Sequence, residues 1–353
     1  DPALGMPLAA LVVVLYTLMG GFIAVCYTDV VQAILMVITL VVMPIIGLVL
    51  IATHGYDIGE AMRATGETAS WTGGATGWAA AAAVIGGLSW GLGYMGQPHL
   101  VTKFMAIRSP EAVRTGRRVA VVWTLLAYAG AALVGVVGIT LVHYAEVPTA
   151  ALVGENADPE RVLPVLAGAL FPAWIAGVLI SGAVAAMMST ADSQLLIATS
   201  TVVEDFYCKT LGRRLSQRGL VAMSRLVTVG VGVAAFALAW SSDDLIYDVV
   251  SLAWAGLGSS FGPALVLSLR WRRMNGAGVV AAMATGATST AAWSWIPGLD
   301  DLISVRFASF ALATIAAVVF SLAFPDAPGA EVQPGRPRAP EAGAGATSSR
   351  PSS

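Results

Sequence analysis

Charged residues are scarce in this chain, and their scarcity excludes most classes of soluble protein. Of its 353 residues only 11% are charged, whereas 57% are hydrophobic, and the mean hydropathy is +0.78. A soluble domain carries roughly 25% charged residues. The formal net charge of −2 provides no general attraction for nucleic acid, so no nucleic-acid partner is expected. The composition indicates a protein that lies within a lipid bilayer.

Cysteine and histidine are also rare, which excludes two kinds of site. The chain has only two cysteines, Cys26 and Cys208, and three histidines. Two cysteines cannot build a disulfide framework, and these scattered positions lack the spacing of zinc ligands. No Ser-His pair or phosphate-binding loop suggests nucleophilic or phosphoryl chemistry. We therefore predict that the protein is not an enzyme.

Long hydrophobic runs dominate what is present. A bilayer core about 30 Å thick needs about 20 apolar residues per helix. Eight runs contain no acidic residue: 6–25, 30–52, 77–98, 119–142, 219–240, 249–269, 276–296 and 307–324. A ninth run, 171–203, contains a single acidic residue, Asp192. The pattern predicts an all-α polytopic membrane protein with about nine transmembrane helices.

The basic residues predict the orientation of these helices in the membrane. Counted over alternate loops, 16 of the 19 Lys and Arg residues fall on one side, and the three exceptions are Arg63, Arg161 and Arg306. Cytoplasmic loops carry the excess of basic residues. We therefore expect residue 1 outside and the C-terminal end inside, in a plasma membrane. Residues 1–325 form the predicted transmembrane domain, and residues 326–353, rich in Pro, Gly, Ala and Ser, a disordered cytoplasmic tail.

The third run has an unusual density of helix-weakening residues. Five glycines and Pro98 fall between residues 86 and 98. Loose backbone within a bilayer is tolerated where it faces protein or a cavity. Trp90 and Tyr94 stand at positions i and i+4, so both rings project from one helix face. Two interpretations remain open: a substrate pocket with an aromatic wall, or an interfacial aromatic pair beside small-residue helix packing.

A stripe of small polar residues marks the run 171–203. Ala186, Ser189, Thr190 and Ser193 lie at i, i+3, i+4 and i+7, on one helix face. Two hydroxyls beside an exposed carbonyl could form part of the oxygen shell that a hard cation requires. The alternative is that these hydroxyls bond back to the preceding turn, as is common in membrane helices.

Two acidic residues stand close to these runs. Asp192 lies within the run, where a carboxylate costs about 2.5–3.5 kcal/mol and usually faces a partner or a water path. No partner for it is evident in the sequence. Asp29 lies at the start of the second run, where we expect it to cap a helix N-terminus.

Five stretches of the chain resemble the sodium:solute symporter family, and most nearly its sodium/proline symporters. They are Trp90–Met105, Gly20–Gln32, Met188–Leu196, Glu204–Tyr207 and Ala253–Pro263. The resemblance runs collinearly from residue 1 to about residue 325. It implies a fold of two inverted five-helix repeats, the second at about 77–270. It also implies that a complete member of this branch has thirteen spans, of which the first four would precede residue 1 of this sequence.

The resemblance further implies a function and a set of site residues. Ala186, Ser189 and Thr190 match sodium ligands of this family. Asp29 matches an aspartate implicated in sodium coupling. Asp192 departs from the proline branch; it could adjust that coupling or mark a branch with a different substrate. The residues that match the proline pocket or its gate are Trp90, Tyr94 and Pro98.

The implied activity is sodium-coupled uptake of L-proline by alternating access, with the sodium ion as the cofactor. The partners are a small solute and the lipid bilayer. Two alternatives remain: a sodium symporter for another small solute, such as pantothenate, a monocarboxylate or another amino acid, and a transporter-like membrane sensor.

Overall fold

The computed structural model describes residues 2–65, 70, 72–148, 152–153, 158–242 and 245–325, and these contain no β-strand. Their α-helices are α1 (Pro2–His54), α2 (Ile58–Ala64), α3 (Gly77–Tyr94), α4 (Pro98–Met105), α5 (Pro110–His143), α6 (Val162–Leu170), α7 (Ala173–Ser200), α8 (Gln217–Trp240), α9 (Ile246–Arg270), α10 (Gly276–Trp295), α11 (Leu299–Leu302) and α12 (Val305–Ala323). A 3₁₀ turn covers Pro159–Arg161, and α7 continues as a π-helix over Thr201–Thr210. The all-helical prediction is confirmed.

Each predicted span coincides with a helix in this described part of the chain. Six helices are long and apolar enough to cross a membrane, and a seventh span arises if α3 and α4 count together. The predicted run 276–296 coincides with α10. The total of nine spans and the cytoplasmic side stay predictions, and the predicted tail, 326–353, lies outside the described residues.

The first helix is too long for a single span and folds back on itself. Its 53 residues would extend about 80 Å as a straight rod. Gly21 interrupts it with φ 60° and ψ −172°. Thr39 donates a hydrogen bond to the Leu179 carbonyl (3.0 Å), and Tyr16 donates one to the Met188 carbonyl (3.1 Å). The acceptors are about 14 Å apart along α7, but Tyr16 and Thr39 would be about 34 Å apart on a straight helix.

The chain must therefore reverse at Gly21, into a first arm (2–20) and a second arm (22–54). A positive φ is open to glycine without steric cost, which explains why the reversal falls there. The two arms correspond to the predicted runs 6–25 and 30–52. The hydrophobic runs predict a junction between residues 25 and 30, whereas the structure places the reversal earlier, at Gly21.

The helices pack as two bundles. The first, the hairpin bundle, contains α1, α2, α5, α6, α7 and α8. Met43, Val137, Leu141 and Leu166 are buried at its core. Leu166 belongs to α6, which packs against α5 and α7.

The second bundle, the glycine bundle, contains α3, α9, α10, α11 and α12. Its helices approach closely through residues without side chains. A Cβ atom placed on Gly258 of α9 would collide with the backbone of Gly93 on α3, and one on Gly286 of α10 with the backbone of Ser259. Small residues at helix contacts allow this approach in membrane proteins. The two bundles meet mainly where α4 packs against α7.

Candidate functional site

An aromatic cluster lies where α3 packs against α9. The rings of Trp90 and Tyr94 both face Trp254, with centroid distances of 6.2 and 4.8 Å. Trp254 also donates its indole hydrogen to the Trp90 carbonyl at 3.2 Å. Tyr247 completes the cluster at 5.7 Å from the Trp90 ring. The sequence prediction that Trp90 and Tyr94 share one face is confirmed, and the face is directed towards α9.

The break in the third span lies at residues 95–97, after four of its five glycines and at the fifth, Gly96. Helix α3 continues through the glycine-rich segment to Tyr94, and α4 begins at Pro98, bent by 45°. Proline disfavours a helical conformation in the residue before it, so the helix ends there. Gln97 fills the break, is buried, and donates to the carbonyls of Gly93 (3.3 Å) and Trp254 (3.4 Å).

Arg306 joins this aromatic cluster from α12. Its guanidinium lies 4.4 Å from the centre of the Trp90 ring, within the range of a cation–π contact. The sequence assigns Arg306 to an outer loop, but it is the second residue of α12. Neither Arg306 nor Trp254 stands out as a site residue in the sequence. Arg306 adjoins a hydrophobic run and Trp254 lies within one, and this pattern does not show which helix each side chain contacts.

The predicted sodium ligands form a compact group on α7. Ser189 and Thr190 both donate to the Ala186 carbonyl, at 3.0 and 3.2 Å. Ser193 donates to the Ser189 carbonyl at 2.8 Å. The hydroxyls thus bond back to the preceding turn, one of the two alternatives that the sequence leaves open. This arrangement keeps three oxygens within one turn, and Thr190 is exposed while Ser189 is half-buried.

Asp192 has partners that the sequence could not identify. Its carboxylate is fully buried and accepts hydrogen bonds from the Tyr16 hydroxyl (2.6 Å) and the Ser193 hydroxyl (3.1 Å). Tyr16 lies on the first arm of α1, 176 positions away in sequence. The partner is not evident in the sequence because only the reversal at Gly21 brings the first arm beside α7.

Asp29 forms an ion pair instead of capping a helix. One carboxylate oxygen is 2.6 Å from the Lys103 ammonium on α4. The other is buried and has no hydrogen-bond partner among the described residues. The predicted cap is wrong because the second arm begins at Gly21, so Asp29 lies inside a helix. This ion pair connects the second arm of α1 to α4.

The structure places the two predicted groups in different bundles. Trp90 and Tyr94 belong to the glycine bundle, whereas Ala186, Ser189 and Thr190 belong to the hairpin bundle. Among the described residues no hydrogen bond or ring contact joins the two groups. Pro98 begins α4, the element that packs against α7. No group of three or more His, Cys, Asp or Glu residues suited to a metal occurs in the described ranges.

Comparison with known proteins assigns the class. The sodium:solute symporter family profile matches residues 3–286, and the chain belongs to this family. The predicted family is confirmed. The protein is an integral membrane protein.

Individual relatives narrow the comparison. The chain is 37% identical over 311 residues to the high-affinity proline transporter PutP of Bacillus subtilis, covering 88% of this chain and 63% of that protein. It is 38% identical over 313 residues to the sodium/proline symporter of Escherichia coli, covering 88% and 60%. The chain therefore spans less than two thirds of the length of these relatives.

A solved structure supports the arrangement of the helices. It is a Na⁺-coupled sialic acid symporter in a substrate-bound, outward-open state, and it matches with a TM-score of 0.63 and 22% identity. The match covers 91% of this chain and 67% of that one. At this identity the likeness concerns the fold alone.

Proposed function

We propose that the protein carries L-proline into the cell together with sodium, by alternating access. The observation that carries this proposal is the similarity to proline transporters, at 37–38% identity over 88% of the chain. The aromatic cluster and the oxygen group on α7 supply suitable chemistry for the solute and the ion. The inverted-repeat architecture of the family would bring the two together during the cycle.

The sodium ion would bind at the α7 oxygens. The Ala186 carbonyl and the hydroxyls of Ser189 and Thr190 are hard oxygen donors, the ligand type that hard cations prefer. Both hydroxyl hydrogens point at that carbonyl, so they would turn away when the ion enters. Asp29 and Asp192 would lower the electrostatic cost of a cation nearby.

The aromatic cluster would bind the apolar part of the solute. Trp90, Tyr94 and Trp254 present ring faces and edges at the side of a broken helix, a usual location for transporter sites. The pyrrolidine ring of proline is small and apolar, so it can pack against these rings. Proline is a zwitterion without net charge, and the sodium ion therefore makes the cycle electrogenic, by about 2.3 kcal/mol per 100 mV.

The proposal is tested by uptake of labelled L-proline into proteoliposomes. The protein is expressed from its complete gene, and an inward sodium gradient is compared with a potassium gradient. We expect accumulation with sodium only, increased by an interior-negative potential. Sodium-dependent uptake of pantothenate, a monocarboxylate or another amino acid in place of proline would refute the proline assignment. Absence of uptake of every solute by well-folded protein would favour a sensor.

The ion site is tested by the double variant Ser189→Ala with Thr190→Ala. Removing both hydroxyls deletes two of the three proposed oxygens, so the sodium concentration for half-maximal uptake should rise at least about tenfold. Ser181→Ala is the matched control, because Ser181 also lies on α7 and donates to a carbonyl of the preceding turn, that of Val178. An unchanged sodium response in the double variant would contradict the assignment.

A further inference from the structure

Arg306 has a charge that the described residues do not neutralise. Its side chain donates to the Ser89 hydroxyl (3.3 Å), to the Ser251 hydroxyl and to the Gly86 carbonyl (3.4 Å). All three acceptors are neutral. The ion pairs among the described residues are Lys103–Asp29 and Lys209–Asp205, and neither includes Arg306.

An arginine near the end of a span usually directs its charge to the membrane surface, whereas Arg306 is packed between helices. Arg306 is half-buried between α3, α9 and α12, and the Trp90 ring covers one face of its guanidinium. A charge in this environment is costly, and it usually marks a partner or a substrate path. The planar guanidinium also has donors in the geometry that binds a carboxylate through two parallel hydrogen bonds. The chemistry that complements it is therefore a small carboxylate.

A surface pocket lies next to Arg306: its lining includes Val305, the residue before Arg306, but not Arg306 itself. The pocket has a volume of about 340 Å³ and is bordered by α9, by the end of α10 and by the start of α12, a size suited to a small molecule. Ser251, the hydroxyl partner of Arg306, forms part of its wall. Two exposed carboxylates, Asp248 and Asp300, line it as well. The pocket thus presents two acidic groups, and the Ser251 hydroxyl in its lining is hydrogen-bonded to the Arg306 guanidinium.

We propose that Arg306 binds the carboxylate of the incoming solute and so selects for solutes that carry one. Asp248 and Asp300 attract the positively charged nitrogen at the pocket, and Arg306 then receives the carboxylate beside the Trp90 ring. The class of solute that fits is a small zwitterion, such as an amino or imino acid. This inference rests on the proposed function, because it assigns a specificity residue to the same transport cycle.

A purely structural role for Arg306 predicts different behaviour. Its hydrogen bonds connect α3 with α9, and that link could serve only to hold the bundle together. In that case a substitution would lower the stability of the protein and the transport of every solute alike. A carboxylate-binding role predicts a loss that depends on whether the solute carries a carboxylate.

The test compares Arg306→Gln and Arg306→Lys with the wild type, in uptake of L-proline and in competition by L-prolinamide. Glutamine retains a donor without the charge, and lysine retains the charge without the planar fork. We expect the KM for proline to rise at least tenfold in Arg306→Gln, and less in Arg306→Lys. The sodium dependence should not change, and prolinamide should compete as well as or better than in the wild type.

Arg63→Gln serves as the control for loss of one positive charge, because Arg63 is exposed on α2, away from the pocket. An unchanged KM for proline in well-folded Arg306→Gln would overturn the inference. So would an equal loss of affinity for proline and prolinamide, which is the signature of a structural role.

A second measurement separates this inference from the proposed function. If the wild type takes up no proline, the proposed function fails, and binding is then measured by tryptophan fluorescence. L-proline, L-lactate and acetate are each titrated against the corresponding amide, in the wild type and in Arg306→Gln. A carboxylate-specific response of the wild type that Arg306→Gln loses would support the role of Arg306. No carboxylate-specific response in the wild type would overturn it.

Discussion

The hairpin bundle and the glycine bundle hold their helices together in different ways. In the hairpin bundle, polar side chains cross between helices: Tyr16 reaches Asp192, Thr39 reaches the Leu179 carbonyl, and Lys103 of α4 reaches Asp29. In the glycine bundle side-chain hydrogen bonds also cross between helices, from Trp254 to the Trp90 carbonyl and from Arg306 to neutral acceptors, and the backbones of α3, α9 and α10 touch directly at glycines. Asp192 is the one carboxylate that is buried among the described residues, and it lies in the hairpin bundle.

This difference predicts that the two regions respond differently to an ion. A hydrogen bond to a carboxylate or hydroxyl can be exchanged for a bond to a cation, so the polar contacts of the hairpin bundle would change if sodium binds at the proposed site. Close packing of backbones offers no such exchange, since it depends on shape alone. The contact of Gly258 with α3 should therefore be sensitive to added volume, and the contact of Tyr16 with Asp192 to a lost hydrogen bond.

The largest effect should come from adding one methyl group to the glycine bundle. In Gly258→Ala the new Cβ would meet the backbone of Gly93, which cannot move aside as a side chain can. We expect a loss of about 3 kcal/mol in stability, measured as a lower thermal unfolding midpoint in detergent and a lower yield of monodisperse protein.

Gly87→Ala is the control for this change, because it also lies within a helix of the glycine bundle but has nothing within 4 Å of the added Cβ. Alanine favours a helix over glycine by up to about 1 kcal/mol, so the control should be neutral or stabilised. Equal unfolding midpoints for the two variants would contradict the proposed role of close backbone packing.

An intermediate effect should follow from removing one hydroxyl in the hairpin bundle. Tyr16→Phe deletes the donor at 2.6 Å from the buried Asp192 carboxylate, and Ser193 is then the one recorded donor that remains to it. An unsatisfied buried acceptor costs about 1–3 kcal/mol. We expect a decrease in thermal stability smaller than that of Gly258→Ala.

Tyr27→Phe removes the same group from the second arm of α1, where the tyrosine is 73% exposed, and should leave the unfolding midpoint unchanged. If Tyr16→Phe is as stable as Tyr27→Phe, then the link between the first arm and α7 contributes nothing to the fold. In that case the two bundles would not differ in the way described above.

The smallest effect should distinguish the two ion pairs. Lys103–Asp29 and Lys209–Asp205 have the same separation of 2.6 Å, but the side chains of the first are 34% and 20% exposed and those of the second 73% and 56%. In a double-mutant cycle with Asp29→Asn and Lys103→Gln, we expect a coupling of about 1 kcal/mol. The same cycle at Lys209 and Asp205 should give a smaller coupling, because water screens that pair. Equal couplings would mean that burial does not strengthen the contact between α1 and α4.

The candidate site could be predicted where its parts lie close together in sequence. Trp90 and Tyr94 share a face because they are one helical turn apart, and Ala186, Ser189 and Thr190 are neighbours for the same reason. The partners of Asp29 and Asp192 could not be predicted, because each lies on another helix. The position of Arg306 was missed for a similar reason: a basic residue beside a hydrophobic run is typical of a loop, and only packing shows that it turns towards Trp90.

Composition and hydrophobic periodicity were sufficient to establish a helical membrane protein, the approximate ends of its helices and, through the motifs, its family. In a bilayer every backbone polar group must be satisfied within its own segment, so long apolar runs leave helices as the outcome. The reversal at Gly21, the contact of α3 with α9 and the partners of the charged side chains required the tertiary structure. These features depend on which helix faces meet, and contacts between distant segments leave no periodic signal in the chain.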